Sequence, residues 1–217
     1  MRNKNGAIIC FIGIDGSGKT EHALTLWKNL VEKKFNCAYM RPRYSILKLV
    51  PSFLVKRISK FQTFTPRKTI STSKNRKSTD THKLSYSRIF RIFLFLTYGF
   101  FTYHITLKPL RSSTVVVCDR YFYDWFHDLK IESSLALAGL LPKPDLVFFL
   151  DLPVNIAYSR MRYLQDRDIP VEYFESLKRW YLLLAKKWKF TVIDSSSKPE
   201  MNRDLILTYV STFLNGN

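Results

Sequence analysis

Apolar positions along this chain fall into two patterns that alternate from one end to the other. Five short runs are almost continuously apolar and end in turn or polar residues: Ala7–Ile12, Asn36–Met40, Thr114–Cys118, Leu146–Leu150 and Phe190–Ile193. Strands without in/out alternation are covered on both faces, as in a parallel sheet flanked by helices. Between these runs the apolar residues recur at helical spacing. Lys19–Lys34 places Ala23, Leu24, Trp27, Leu30 and Val31 on one face. A helix opened by Pro170 does the same with Tyr173, Phe174, Leu177, Tyr181, Leu184 and Ala185. Strand, helix, strand, repeated, predicts a doubly wound α/β domain. At 217 residues the chain is long enough for one domain with a sizeable core, so 1–217 is read as a single domain.

Two stretches break this rhythm. Ile92–Tyr103 is nearly all apolar, but it is bounded by Arg91 and His104 and is too short to span a bilayer unaided. It predicts a buried helix and no membrane span. From Arg41 to Arg91 there are fourteen Lys or Arg against one acid, Asp80, so this stretch carries +13 of the formal +18. Within it Ile46–Ile58 has the spacing of a short basic amphipathic helix, and Thr63–His82, rich in Ser, Thr and Lys, reads as a mobile surface loop. The region about 41–91 is either a solvated, charged insertion or an acceptor-side loop whose positive charge serves phosphates. The net charge implies an anionic partner: nucleotide, nucleic acid or an acidic membrane surface. Cys10, Cys37 and Cys118 have no pairing or metal spacing and read as small buried hydrophobes. With no secretory pattern ahead of the first strand, they point to a reducing, cytoplasmic setting.

The chemistry begins where the first strand ends. Gly13-Ile14-Asp15-Gly16-Ser17-Gly18-Lys19-Thr20 fits G-x-x-x-x-G-K-[ST], the P-loop pattern. Glycines let the backbone turn its N–H groups inward around an anion at a helix N-terminus. Lys19 can then reach the β- and γ-phosphates of a nucleotide, and the Thr20 hydroxyl can ligate Mg²⁺. The fold class is thus α/β of the P-loop NTPase type, with helices on both faces of a parallel sheet. Asp119 and Arg120 follow the third strand. A carboxylate at the C-terminal edge of such a sheet faces the ligand crevice, which suits Asp119 to Mg²⁺ and Arg120 to transferred phosphates. A turn carboxylate beside a surface arginine is the plainer alternative. Asp151 also follows a strand, but Leu152-Pro153 suggest a helix cap, so Asp119 is preferred for metal. Arg160, Arg162 and Arg167 lie on a short segment, about 160–169, that reads either as a lid closing over phosphates or as a solvated helix end.

Together these residues resemble the thymidylate kinase family of nucleoside monophosphate kinases. The resemblance runs from Phe11–Thr20 through Val115–Tyr121, Pro144–Pro153, Arg160 to Arg167 and Tyr181–Ala185 to Val192-Ile193-Asp194. It implies a five-stranded parallel sheet, Mg-ATP as donor and a nucleoside monophosphate as acceptor. It further implies that Asp15 faces the acceptor nucleotide and that Arg120 contacts phosphates. The loop has no arginine between its glycines and its lysine, which resembles the subgroup whose charge-neutralising arginine comes from the lid, here Arg160 or Arg167. The acceptor half departs from the family pattern. Met40-Arg41-Pro42-Arg43-Tyr44 stands in place of Arg-Glu-Pro-Gly, with Arg41 or Arg43 left to hold the acceptor phosphate. Tyr98 falls where family members carry an arginine near the base, and Phe122–His127 replaces a Ser and Ala-Tyr-Gln segment.

The resulting expectation is ATP-dependent phosphoryl transfer to a nucleoside monophosphate, dTMP first, with ATP and a phosphorylated small molecule as partners and a homodimer left open. One alternative keeps the fold and changes the acceptor to another nucleotide, nucleoside, sugar or lipid-linked phosphate. Another is a nucleotide-dependent protein that binds nucleic acid or acidic membrane, although no specific nucleic-acid motif is present.

Overall fold

The computed structural model describes residues 6–42, 92–93, 96–128, 134–161 and 169–216. Five strands, β1 (Ala7–Ile12), β2 (Cys37–Met40), β3 (Val115–Asp119), β4 (Leu146–Asp151) and β5 (Thr191–Asp194), form one sheet in the order β2-β3-β1-β4-β5. Every pairing is parallel. The five apolar runs are therefore the five strands, with boundaries shifted by at most one residue. The connecting helices are α1 (Lys19–Glu32), then α2, in which helical residues 96–102 run on through a π-turn at Tyr103–Leu107 into Lys108–Arg111. They continue with α3 (Tyr123–Asp128), α4 (Ser134–Gly139), α5 (Val154–Met161), α6 (Val171–Trp188) and α7 (Pro199–Gly216).

The absence of alternation in the strands has its cause in two cores. Ala7, Ile9 and Phe11 of β1 pack toward α1 and α7, where they meet Ala23, Leu26, Leu30, Ile206 and Val210. Ile8, Cys10 and Ile12 point the other way, toward Tyr103 and Leu107 of α2 and Phe174, Tyr181 and Leu184 of α6. Both faces of β1 are dry, so both parities of position are apolar. Phe148 of β4 is fully buried and stacks on Phe11 with ring centroids 5.2 Å apart. Phe148→Ala is expected to cost about 3–5 kcal/mol of unfolding free energy, read from the urea midpoint at unchanged slope.

Three expectations need correction. The buried face of α1 is Lys19, His22, Ala23, Leu26 and Leu30, while Val31 is 48% exposed. The glycine loop sets the phase of α1 by burying Lys19 beneath it, and this rotates Leu26 inward and Val31 outward. The apolar stretch Ile92–Tyr103 is helical over 96–102 but only half buried. Gly99, Thr102 and Tyr103 face inward, and Phe93, Phe100 and Phe101 are more than half exposed. Gly99 packs against Leu141: a Cβ there would lie 2.7 Å from the Leu141 Cδ2 methyl, so a larger residue would have to displace that side chain. Cys37 is half-buried, since β2 is a sheet edge, whereas Cys10 and Cys118 are in the core; all three are free thiols. Among the described residues no helix is long and apolar enough to cross a membrane. The proposed helix at Ile46–Ile58 and loop at Thr63–His82 lie outside the described residues.

Candidate active site

The loops leaving β1 and β3 run to opposite sides of the sheet, because β1 connects outward to β2 and β3 connects back across β1 to β4. A crevice opens between such strands at their C-terminal ends. Gly13–Thr20 lies on one side of it and Asp119-Arg120 on the other, with Phe11 and Asp119 in register.

The loop geometry demands its glycines. Gly13 has φ 147°, and a Cβ there would sit 2.6 Å from the Leu150 carbonyl and 2.8 Å from Ser17 Oγ. Gly18, at φ 84°, caps α1 and turns the chain into the helix. Lys19 is buried and donates from Nζ to the Ile14 carbonyl at 2.6 Å, with Asp15 3.5 Å away. Ser17 Oγ is buried with no hydrogen-bond partner among the described residues. These features suit an anion: a loop of backbone N–H groups, an ammonium and an unused hydroxyl. Burial, with the Arg120 charge second, pulls the Lys19 ammonium down to about 8 from an ordinary 10.5. Between about pH 8 and 10.5 the folded state sheds this proton before the unfolded state does, so this group's contribution makes stability rise with pH across that window. Affinity for a nucleotide works in the opposite direction, because the charged lysine adds to the hold of the loop N–H groups on phosphate. Binding of ADP, measured by calorimetry, is expected to weaken above about pH 8 and to level off after a loss of about tenfold, where the loop N–H groups alone hold it.

Across the crevice, Arg120 has φ 73°, a left-handed backbone rare for arginine, and its N–H donates to the Phe11 carbonyl at 3.0 Å. Its guanidinium pairs with Asp15 and lies 3.5 Å from Asp124, which in turn accepts a hydrogen bond from the buried Tyr181 hydroxyl. Burial opposes the Arg120 charge, but the two carboxylates more than offset it and raise its pKa. Asp15 is held below its ordinary value: burial would raise it, and Lys19 and Arg120 outweigh that. Asp119 is buried at the end of β3. Its Oδ2 accepts from Thr20 Oγ1 (2.8 Å), Tyr39 Oη (2.9 Å) and Arg41 Nε (2.8 Å). Its Oδ1 is buried with no hydrogen-bond partner among the described residues. Asp151 is instead ion-paired with Lys178 at 2.6 Å.

The remaining expected residues sit around this centre. Arg160, on α5, reaches the loop and donates to the Gly16 carbonyl at 3.1 Å. Tyr98, on α2, donates to the Pro42 carbonyl at 3.3 Å and packs edge-on to Phe122, so it borders the segment that carries Arg41. Arg43, Arg162 and Arg167 lie outside the described residues, as does most of the basic region 41–91. Tyr39, Asp124 and Tyr181 also meet here; the sequence placed Tyr181 on a helix face and in the family resemblance, and Asp124 in the segment that departs from it, without a role at this site for any of the three.

The family model for thymidylate kinase matches residues 46–206. The chain belongs to the thymidylate kinase family. The probable thymidylate kinase 1 of Saccharolobus solfataricus is 28% identical over 208 residues, covering 87% of this chain and 88% of the relative. The probable thymidylate kinase of Staphylothermus marinus is also 28% identical over 208 residues, covering 90% of each chain. The thymidylate kinase of Mesomycoplasma hyopneumoniae is 31% identical over 120 residues, about half of this chain. The family match starts beyond the glycine loop, so the loop stands on its own sequence and geometry. Thymidylate kinase family membership makes the chain a nucleoside monophosphate kinase, an enzyme of the phosphotransferase class. Asp124, in the segment after Tyr121, brings a buried carboxylate to Arg120.

Proposed function

We propose that this protein transfers the γ-phosphoryl group of ATP to a nucleoside monophosphate, converting dTMP to dTDP. The observation that carries the reading is the meeting of Lys19 and Thr20 from the loop with Asp119 and Arg120 from β3 across one crevice, in a thymidylate kinase family chain. Gly13–Thr20 would cradle the donor phosphates. Lys19 would exchange its bond to the Ile14 carbonyl for the β- and γ-oxygens. Thr20 Oγ1 and the unpartnered Asp119 Oδ1 fit a hard divalent cation, so they are the residues that would hold Mg²⁺. The cation, when bound, neutralises charge on the donor phosphates.

The acceptor reading rests on Asp15, Arg120, Arg41 and Tyr98: Arg120 pairs with Asp15, Arg41 with Asp119 beside Arg120, and Tyr98 with the Pro42 carbonyl beside Arg41. Arg120 is the central group: pinned by Asp124 and paired with Asp15, it can take a phosphate oxygen without moving its backbone. Arg160, with Arg43 and Arg167 as expected partners, would add positive charge as phosphate charge redistributes in the transition state. The protein's work is then positioning and electrostatics, with little covalent chemistry asked of it. Neither the different-acceptor reading nor the nucleic-acid or membrane reading is favoured by the comparisons. Purified protein supplied with Mg-ATP and a panel of nucleoside monophosphates is expected to release ADP fastest with dTMP. ADP release that no monophosphate accelerates would overturn the proposal.

A further inference from the structure

Arg41 follows the end of β2 and turns its guanidinium onto the carboxylate and the hydroxyl that the donor site offers to a cation, meeting Asp119 at Oδ2 where the cation would take Oδ1. Nε donates to Asp119 Oδ2 at 2.8 Å, and Nη2 lies 3.4 Å from Thr20 Oγ1. The Tyr39 hydroxyl supports this pose, accepting from Arg41 Nε at 3.1 Å and donating to the same Oδ2 at 2.9 Å. The two partners differ in exposure. The Asp119 side chain is 2% exposed and fixed at the end of β3. The Arg41 side chain is 48% exposed, on a long stem that can swing. A guanidinium and a divalent cation repel each other and compete for the same carboxylate and hydroxyl.

We propose that Arg41 is the built-in counter-ion of the Thr20–Asp119 site, and that it leaves for the acceptor side when a divalent cation binds there. This rests on the donor-site reading above and adds an order to it. While Arg41 holds Asp119, the carboxylate is charge-matched and the arginine is withdrawn from the acceptor. Once released, the guanidinium lies within one side chain's length of Tyr98 and the Pro42 carbonyl, beside the proposed acceptor phosphate position. Linkage makes the effect reciprocal: an acceptor phosphate that captures Arg41 raises the affinity of Thr20 and Asp119 for the cation by the same factor. Donor and acceptor sites are coupled through one arginine.

Mn²⁺ alone is the probe, with full-length protein, no nucleotide, and binding followed by loss of the free-ion electron paramagnetic resonance signal. Arg41→Ala is expected to bind Mn²⁺ about tenfold more tightly than wild type, a typical coupling factor. Arg41→Lys keeps a cation in place and is expected to behave as wild type. In EDTA, Arg41→Ala is expected to melt below wild type, with Mn²⁺ restoring more to it than it adds to wild type. If Arg41→Ala does not fold, Arg41→Gln, neutral but still able to hydrogen-bond Asp119, carries the same comparison. Equal or weaker Mn²⁺ binding in the neutral variant overturns the proposal. So does a lack of Mn²⁺ binding in both proteins; in that case, intact ADP binding by wild type leaves the donor-site reading standing, and its absence removes that reading too.

Discussion

Lys19→Ala is expected to lower kcat/KM for dTMP phosphorylation by about 10²–10³-fold, the loss seen when one preorganised group is removed from a developing charge. Lys19 is buried beneath the loop and is already desolvated, so its field on a phosphate is little screened. The substitution removes that charge without removing the loop's N–H groups. ADP binding should therefore weaken far less than kcat falls, which separates a transition-state role from simple anchoring. The buried ammonium also burdens folding at neutral pH, so the variant is expected to be at least as stable as wild type in urea. Activity within a factor of two of wild type would remove Lys19 from the mechanism.

Arg120→Ala is expected to act on both stability and turnover. Asp15 and Asp124 share this guanidinium, and Asp124 is buried, so the variant takes a positive charge away from a buried carboxylate beside Tyr181. A cost of about 2–3 kcal/mol in unfolding free energy is expected, with kcat/KM for dTMP falling at least as far as in Lys19→Ala. The double variant Arg120→Ala, Asp124→Ser tests the cause. It is expected to recover most of the lost stability and none of the activity, because the residues interact directly and their effects are not additive. A double variant as unstable as Arg120→Ala would mean that the Asp124 charge is not the cause of the stability loss.

The parts of the molecule legible in the sequence are those whose cause is local. The strands could be located because a parallel strand dry on both faces is apolar at every position, as Ile8, Ile9, Cys10 and Phe11 are. The loop was legible because phosphate binding by backbone requires Gly13, Gly16 and Gly18 at fixed intervals, and all three have positive φ. What was missed depends on sheet order. Tyr39 and Arg41 meet Asp119 only because β2 lies beside β3, with Met40 in register with Cys118, and that adjacency joins residues about 80 positions apart. The spacing of residues along β2 carries no trace of it. Arg41 was expected at an acceptor phosphate, whereas it lies on Asp119, the expected metal carboxylate. The aromatic stretch before β3 misled for a related reason. Continuous apolarity predicts burial all round, but a helix packed on one face buries only that face, here Gly99, Thr102 and Tyr103, and leaves Phe100 and Phe101 more than half exposed. Asp124 was hidden by its neighbours, since a carboxylate between Tyr123 and Phe126 has no visible partner until Arg120 and Tyr181 converge on it.

The destination of the transferred phosphoryl group tests the central claim most directly. Protein incubated with Mg²⁺, γ-labelled ATP and dTMP is expected to place the label on dTDP, with no more label in free phosphate than an enzyme-free control. Label that stays in ATP, or that reaches water and never dTMP, would contradict the account.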